Sequence, residues 1–184
     1  MAYRTKKPLV VLVGPMGAGK TTIGKLLAAE LSYEFVDSDK EIERRSGADI
    51  PWIFDVEGEE GFRNREVAVI RDLSTESDVV LATGGGALIR QENRDHLTRN
   101  GYIVYLNTSV DQQFTRTHKD KNRPLLQGDS DPMTVLTELM KVRDPIYREV
   151  ADFVVDTNKK SLRFIVKSIV NALEQSDSIS AEEK

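Results

Sequence analysis

A glycine-rich segment at residues 14–21 constrains this chain more than any other part of its sequence. It reads Gly14-Pro-Met-Gly-Ala-Gly-Lys-Thr21, directly follows the continuous apolar run Leu9–Val13, and is followed at once by a helical pattern. In this order of strand, G-x-x-x-x-G-K-T loop and helix, backbone amides and a helix N-terminus can surround phosphate groups. Glycine allows the backbone to curl there without Cβ clashes. The sequence therefore predicts nucleotide phosphate binding at this loop.

Two side chains of the loop have specific predicted roles in phosphate and metal binding. Lys20 can reach the β- and γ-phosphates of ATP, and the Thr21 hydroxyl can ligate Mg²⁺. The alternative is a glycine-rich turn that caps the following helix and binds nothing. The strand before the loop and the helix after it favour phosphate binding, although the loop does not identify the group that receives the phosphoryl group.

Short apolar runs alternate with helical patterns along the rest of the chain. We predict strands at Leu9–Val13, Glu34–Val36, Val79–Ala82, Tyr102–Leu106 and Phe153–Val155. Apolar residues spaced three and four apart predict helices from Ile23 to Leu31 and from Leu162 to Leu173. This alternation predicts an α/β fold in which helices cover both faces of a parallel sheet, with ligands bound beyond the carboxyl ends of the strands.

Composition limits the class of protein. The formal net charge of −4 argues against nucleic-acid binding, which needs a concentrated basic surface. The absence of cysteine excludes thiolate zinc sites. The two histidines are far apart in the sequence, which argues against a histidine-rich metal centre. The longest apolar run, Leu9–Val13, is too short to cross a membrane. We therefore expect a cytoplasmic monomer with neither a nucleic-acid partner nor a membrane partner.

The chain is expected to form a single domain over residues 1–174, followed by a polar, disordered tail over residues 175–184. One segment, residues 118–130, does not fit the alternation of strands and helices. It is polar, contains Pro124 and Gly128, and joins two helical patterns. Long loops of this kind in compact domains are typically functional, so we predict a mobile lid there.

Two aspartates follow the second predicted strand. Asp37 and Asp39 lie two residues apart in an extended chain and therefore face the same way. One can hold Mg²⁺ through water, and the other can take the proton of an acceptor hydroxyl. The alternative is helix capping by a capping box over Ser38–Glu41. The third strand runs into Thr83-Gly-Gly-Gly86 instead of the usual second magnesium carboxylate, so Asp37 is the expected substitute.

An arginine and a glutamate three residues apart share one face of a predicted helix. Arg63 suits a substrate carboxylate, and Glu66 can fix its orientation. The alternative is a solvated ion pair that contributes little. Arg123 and Arg143 are equally ambiguous by themselves. Spacing alone does not favour any of these arginines over Arg65, Arg116 or Arg148.

Taken together, these motifs resemble those of the shikimate kinase family. The resemblance rests on the phosphate-binding loop, Asp37-Ser-Asp39, Phe62-Arg63 with Glu66, Gly84-Gly-Gly86, Asn122-Arg-Pro-Leu-Leu126 and Arg143 before Pro145-Ile-Tyr147. It implies transfer of the γ-phosphoryl group of ATP to the 3-hydroxyl of shikimate, in the pathway to chorismate and aromatic amino acids. It also implies a three-layer P-loop fold with a five-stranded parallel sheet, a lid over about 118–130 and a substrate-binding helical region over about 38–67.

The same resemblance implies roles for individual residues. The ATP phosphates would be held by Gly17, Ala18, Gly19, Lys20, Thr21 and Thr22. Thr21 would coordinate Mg²⁺ directly and Asp37 through water, while Arg116 and Lys160 would lie near the adenine and Arg123 would close onto ATP with the lid. Shikimate would contact Asp39, Phe54, Arg63, Glu66, Gly84, Gly85, Gly86 and Arg143. Lys20, Asp39 as the base, and Arg123 would form the catalytic set.

Two other functions stay open at the level of sequence. A related gluconate or adenylate kinase would share the phosphate-binding loop, although Asp37, Asp39 and Arg63 favour a polyhydroxylated carboxylate as acceptor. A catalytically silent ATP-binding regulator is the second alternative. The joint presence of Lys20, Thr21 and the acceptor-side residues argues against it.

Overall fold

The computed structural model describes residues 5–119, 124–126 and 128–182. Its centre is a five-stranded parallel sheet with the strand order β2-β3-β1-β4-β5. The strands are β1 (Leu9–Val13), β2 (Glu34–Asp37), β3 (Val79–Ala82), β4 (Gly101–Asn107) and β5 (Phe153–Asp156). The predicted strands are confirmed, and β2, β4 and β5 extend by one residue at one or both ends.

Helices connect these strands and cover both faces of the sheet. They are α1 (Lys20–Leu31), α2 (Ser38–Ser46), α3 (Ile50–Leu73), α4 (Gln91–Asn100), α5 (Val110–Thr117), α6 (Pro132–Val150) and α7 (Leu162–Glu182). Short 3₁₀ turns lie at Ala87–Ile89 and Pro124–Leu126. The result is the expected α/β arrangement of three layers. None of the helices in the part of the chain that is described is long and apolar enough to cross a membrane.

The central strand β1 is buried completely, and its alternate side chains enter two different cores. Val10 and Leu12 pack with residues of α1 and α7 on one face of the sheet. Leu9, Val11 and Val13 pack with residues of α3, α4 and α6 on the other face. This double burial explains why β1 reads as a continuous apolar run. It also leaves the carboxyl end of β1 between the helix layers, where the glycine-rich loop begins.

Helix α3 contains an interruption that is important for the site. Gly58 has φ 72° and ψ 179°, a conformation outside the helical region, so two helical stretches meet there at a kink. Glycine fits this position because its φ is positive. The first stretch carries Phe54, and the second carries Arg63 and Glu66.

The expectation of a disordered tail after residue 174 is wrong as far as Glu182, because α7 continues to that residue. Asp177 is buried, and its Oδ2 accepts hydrogen bonds from the Thr5 hydroxyl and the Lys6 backbone amide, both at 2.8 Å. The polar composition of residues 175–184 led to the wrong prediction, because the Asp177 carboxylate is buried and joins α7 to the segment before β1.

Candidate active site

The glycine-rich loop joins the carboxyl end of β1 to the first turn of α1. Gly14, Gly17 and Gly19 all have positive φ, between 77° and 146°. Gly19 is the N-cap of α1 and supplies no side-chain hydrogen bond to the first turn of that helix. Amides of a first helical turn lack helical partners and carry the positive end of the helix dipole. The loop therefore presents N–H donors to an anion.

Two cationic side chains lie on this loop. The Lys20 ammonium donates to the carbonyl oxygens of Gly14 at 2.7 Å and Pro15 at 2.8 Å. Arg116, from α5, donates to the carbonyl oxygen of Gly17 at 2.8 Å. A cavity of about 270 Å³, here called the phosphate cavity, is lined by loop glycines together with Lys20, Thr21, Thr22 and Arg116.

Asp37 connects this cavity with helix α2. Its Oδ2 accepts from the Thr21 hydroxyl at 3.0 Å, while its Oδ1 accepts from the backbone amides of Asp39 and Lys40. Asp37 is therefore the N-cap of α2, and Ser38, which the capping-box alternative named, does not cap this helix. The Ser38 hydroxyl instead accepts a hydrogen bond from the Gly84 amide at 3.2 Å. This bond joins α2 to the three consecutive glycines Gly84–Gly86, here called the glycine triplet.

A second cavity of about 270 Å³, the acceptor cavity, opens beside the first. Its walls come from the segments around α2 and α3, the glycine triplet, the 3₁₀ turn Pro124–Leu126 and α6. Both cavities are lined by Met16, Thr21, Asp37, Asp39, Gly84 and Gly85. The two therefore form one cleft, with Asp39 at the junction between the phosphate side and the acceptor side.

Arg63 and Glu66 form a buried ion pair in the wall of the acceptor cavity. The guanidinium and carboxylate are 2.7 Å apart, and their side chains are 7% and 0% exposed. The alternative of a solvated ion pair is therefore wrong. Burial raises the pKa of Glu66 to about 7, although Arg63 acts in the opposite direction. Burial also acts to lower the pKa of Arg63, but Glu66 and Glu59 outweigh it and raise that pKa.

Arg143 enters the same cavity from α6 and is 4% exposed. Its Nε has no hydrogen-bond partner within the part of the chain that the structure covers, and burial lowers the pKa of the guanidinium. A buried cation with an unmade hydrogen bond is costly unless an anion pairs with it. Two buried guanidinium groups therefore make this cavity suited to a carboxylate.

Two residues of the glycine triplet, Gly84 and Gly86, have no room for a side chain. A Cβ at Gly84 would lie 2.7 Å from Asp39 Oδ1 and 3.0 Å from Glu66 Oε1. A Cβ at Gly86 would lie 2.8 Å from Cζ of Arg63. Unlike the loop glycines, these residues do not have positive φ, so the requirement for glycine here comes from close packing against charged side chains.

The structure brings most of the predicted site residues together. Phe54 and Phe62 line the acceptor cavity, with their ring centroids 4.8 Å apart. Ala18 is buried within the loop. Lys160 lies in neither cavity, and its ammonium is 5.2 Å from the ring of Phe164. Arg123 lies outside the described residues.

Several lining residues were not predicted from sequence. These are Met16, Lys40, Glu43, Ile50, Pro51 and Leu125. Met16 lies inside the loop motif and could have been inferred from its position there. The others lie in the expected substrate-binding region over about 38–67 or, for Leu125, in the expected lid, but only the packing of α2, the start of α3 and the Pro124–Leu126 turn selects them individually.

A parallel α/β sheet with this loop, joined to a cavity for a second substrate, defines the class of P-loop kinases. The family model for shikimate kinase matches residues 16–174. A shikimate kinase from Hahella chejuensis is 61% identical over 92% of this chain and 88% of that protein. The chain therefore belongs to the shikimate kinase family.

Solved structures agree with this assignment. A shikimate kinase from Acinetobacter baumannii, in complex with shikimate, has a TM-score of 0.90 and 50% identity over 94% of this chain and 96% of that one. A gluconokinase from Sinorhizobium meliloti has a TM-score of 0.67, but its identity is 18% over 99% of each chain. The second likeness shows a common fold alone.

Proposed function

We propose that this chain transfers the γ-phosphoryl group of ATP to the 3-hydroxyl of shikimate, giving shikimate 3-phosphate and ADP on the way to chorismate and aromatic amino acids. The observation that supports this most strongly is the continuity of the two cavities. The phosphate loop lies on one side of Asp39, and two buried arginines lie on the other. A polyhydroxylated carboxylate is the kind of acceptor that fits this arrangement.

On the donor side, Gly17, Ala18, Gly19 and Thr22 would bind the ATP phosphates through the loop and the first turn of α1. Lys20 would exchange its loop carbonyl partners for oxygens of the transferring group. Phosphoryl transfer needs charge neutralisation and in-line positioning more than covalent chemistry, and a preorganised cation supplies the first of these. Arg116 would support the nucleotide end of the cleft.

Thr21 and Asp37 are the residues suited to Mg²⁺. Their oxygen atoms are 3.0 Å apart, and Mg²⁺ prefers oxygen donors and keeps several waters. A bound Mg²⁺ would neutralise charge on the phosphates and help to orient them. Thr21 would then turn its hydroxyl from Asp37 to the ion, with Asp37 supporting it through water.

Asp39 is proposed as the group that orients the acceptor hydroxyl and takes its proton. It lies at the junction of the two cavities, and the amide of Asp39 is held by the cap at Asp37. Its carboxylate can therefore reach a hydroxyl that lies between the acceptor cavity and the phosphate side. General-base assistance of this kind typically accelerates a reaction by about 10²–10⁴-fold.

The shikimate carboxylate would pair with Arg63 and Arg143. Glu66 holds Arg63 at 2.7 Å, and both guanidinium groups are buried, so a carboxylate placed between them meets little competition from water. Gly84, Gly85 and Gly86 would allow shikimate to approach the backbone closely. Phe54 would form an apolar wall for its ring.

The remaining parts of the proposal concern the lid and the assembly. Arg123 would close onto ATP with a lid over residues 118–130, and Lys160 would make a minor contact near the adenine. Pro124 and Leu125 line the acceptor cavity, which supports the idea that this segment covers bound substrate. Both cavities are built by one chain, so the proposed active unit is a monomer, working in the cytoplasm where ATP is supplied.

The test is ADP release from Mg-ATP with shikimate, gluconate and AMP offered separately. The proposal expects release that depends on shikimate and disappears with EDTA. Release with gluconate or AMP instead would support phosphate binding at the glycine-rich loop but overturn the roles assigned to Asp39, Arg63 and Arg143. ATP binding without any acceptor-dependent release would favour the regulator hypothesis.

A further inference from the structure

Tyr147 is a buried tyrosine whose hydroxyl makes a contact that the function above does not use. It lies on α6, is 1% exposed, and donates a hydrogen bond to the carbonyl oxygen of Gly85. Tyr147 lines neither the phosphate cavity nor the acceptor cavity. Its hydroxyl instead contacts the backbone of Gly85, a residue that lines both cavities.

The hydroxyl is a donor under ordinary conditions. Burial raises the pKa of Tyr147 to about 12, although the guanidinium groups of Arg143 and Arg63 act in the opposite direction. The ring is held by Tyr105, whose centroid lies 5.0 Å away. The Tyr147 hydroxyl therefore has a fixed position and keeps its proton at neutral pH.

The peptide unit that Tyr147 holds lies beside both arginines proposed to bind the carboxylate, tightly at Arg63 and at ordinary contact range at Arg143. A Cβ on Gly85 would lie 3.5 Å from Nη1 of Arg143, and a Cβ on Gly86 would lie 2.8 Å from Cζ of Arg63. The Gly85 carbonyl and the Gly86 amide belong to one planar peptide group, so holding one fixes the other. A rotation of this peptide would change the space available to the two guanidinium groups.

Tyr147 and Arg143 also share a helix face, four residues apart, with Pro145 between them. Proline has no N–H, so the helical bond to the carbonyl of Lys141 is missing at this turn. The Tyr147–Gly85 bond ties α6 to the glycine triplet next to that weakened turn. It therefore provides an anchor for Arg143 that the helix backbone lacks.

We propose that Tyr147 is a positioning residue for the acceptor carboxylate: its hydroxyl holds the Gly85–Gly86 peptide and so sets the spacing of Arg63 and Arg143. The inference deepens the proposed function and rests on it. Loss of the hydroxyl leaves the partly buried Gly85 carbonyl without this donor, so the stabilisation from this hydrogen bond is lost. Substitution of Tyr147 should therefore weaken binding of the acceptor and leave binding of ATP unchanged.

The experiment compares Tyr147→Phe with Tyr33→Phe in the full chain. Tyr33 is a matched control because it is also buried and donates to backbone carbonyls, those of Thr5 and Lys7, away from both cavities. For Tyr147→Phe we expect the shikimate KM to rise about fivefold to tenfold, with an unchanged ATP KM. Tyr33→Phe should lower Tm to a similar extent and leave both KM values unchanged.

A second substrate distinguishes a specific effect on carboxylate binding from a general loosening of the acceptor cavity. The methyl ester of shikimate lacks the negative charge that the arginines pair with, so the ratio of its KM values in Tyr147→Phe and the unsubstituted protein should approach one. A fivefold rise for the ester as well would overturn the inference, as would equal shikimate KM values in the variant and the unsubstituted protein. If the unsubstituted protein does not use shikimate, the proposed function fails and this inference fails with it.

Discussion

The two halves of the cleft are built in opposite ways. The phosphate side is built mainly from one continuous stretch, residues 14–22, to which α5 adds Arg116, and it relies on backbone amides and a lysine held by its own loop. The acceptor side comes from α2, α3, the glycine triplet and α6, and relies on buried charges such as Arg63, Glu66 and Arg143. A local motif can bind phosphate on many scaffolds, whereas the acceptor side requires correct packing of distant elements.

The difference also appears in the electrostatics. Thr21 and Thr22 are exposed, so charge on the phosphate side remains in contact with water. The Arg63–Glu66 pair is almost completely buried. Charge interactions are stronger in such surroundings, but removing one partner destabilises the protein more because the other charge is left buried and unpaired. Variants on the phosphate side should therefore affect turnover, while variants on the acceptor side should affect acceptor binding and stability together.

The largest effect is expected for Lys20→Ala. The variant loses the cation proposed to neutralise the transferring group, and kcat should fall by about 10³–10⁵-fold. Thermal unfolding should change little, because the Lys20 side chain is only partly buried and lines the phosphate cavity. Lys25→Ala, which removes an exposed lysine from the same helix, serves as the control and should retain activity. Near-normal turnover by Lys20→Ala would contradict the assignment of the phosphate side.

Asp39→Asn tests the junction between the two halves. The amide keeps the size of the side chain but cannot take the acceptor proton, so kcat should fall by about 10²–10⁴-fold. ADP release at saturating ATP and shikimate measures this loss. Asp55→Asn, an exposed aspartate on α3, is the control. Unchanged kcat in Asp39→Asn would exclude Asp39 as the base and leave it a purely structural role.

Arg63→Ala and Arg65→Ala compare a buried arginine with an exposed one two residues away. Arg63 pairs with buried Glu66, and Arg65 pairs with Glu57 at the surface. Loss of a charged hydrogen bond to the carboxylate should raise the shikimate KM of Arg63→Ala by about 10- to 100-fold. Arg65→Ala should leave it unchanged. Equal KM values for the two variants would refute the carboxylate role of the buried pair.

The last effect concerns stability and not activity: it is a pH dependence that belongs to Glu66. Its pKa is about 7 in the folded protein, above the ordinary value of 4.5, so folding favours its protonated form. The contribution is fully present below about pH 4.5 and is lost as the pH rises towards 7. The free energy of unfolding should fall by up to about 1.4 kcal/mol per pH unit in this window.

Urea unfolding at several pH values, with Glu66→Gln as the comparison, isolates this dependence. The amide in that variant cannot titrate, so the stability of the unsubstituted protein relative to the variant should fall as the pH rises from about 5 to about 7 and become constant above that range. A difference that does not change with pH would show that Glu66 has an ordinary pKa, and that the acceptor side is wetter than its burial indicates.

Much of the fold was predictable because its signals are local. Each strand is a short apolar run, and the alternation of strands and helices defines a parallel sheet whose carboxyl ends hold the ligands. The tail was predicted incorrectly because polarity was treated as disorder, whereas Asp177 is held by Thr5 and Lys6 from the other end of the chain. Contacts between distant residues leave no periodic signal in the sequence.

For the site, the sequence by itself determined the phosphate loop, because consecutive residues supply its backbone geometry, its lysine and its hydroxyl. It also placed Asp37 and Asp39 at the end of a strand. Only the tertiary structure decided that Arg63 is buried and Arg65 exposed, and that Tyr147 holds the glycine triplet. The physical reason is that burial and the pairing of charges depend on which distant elements pack together.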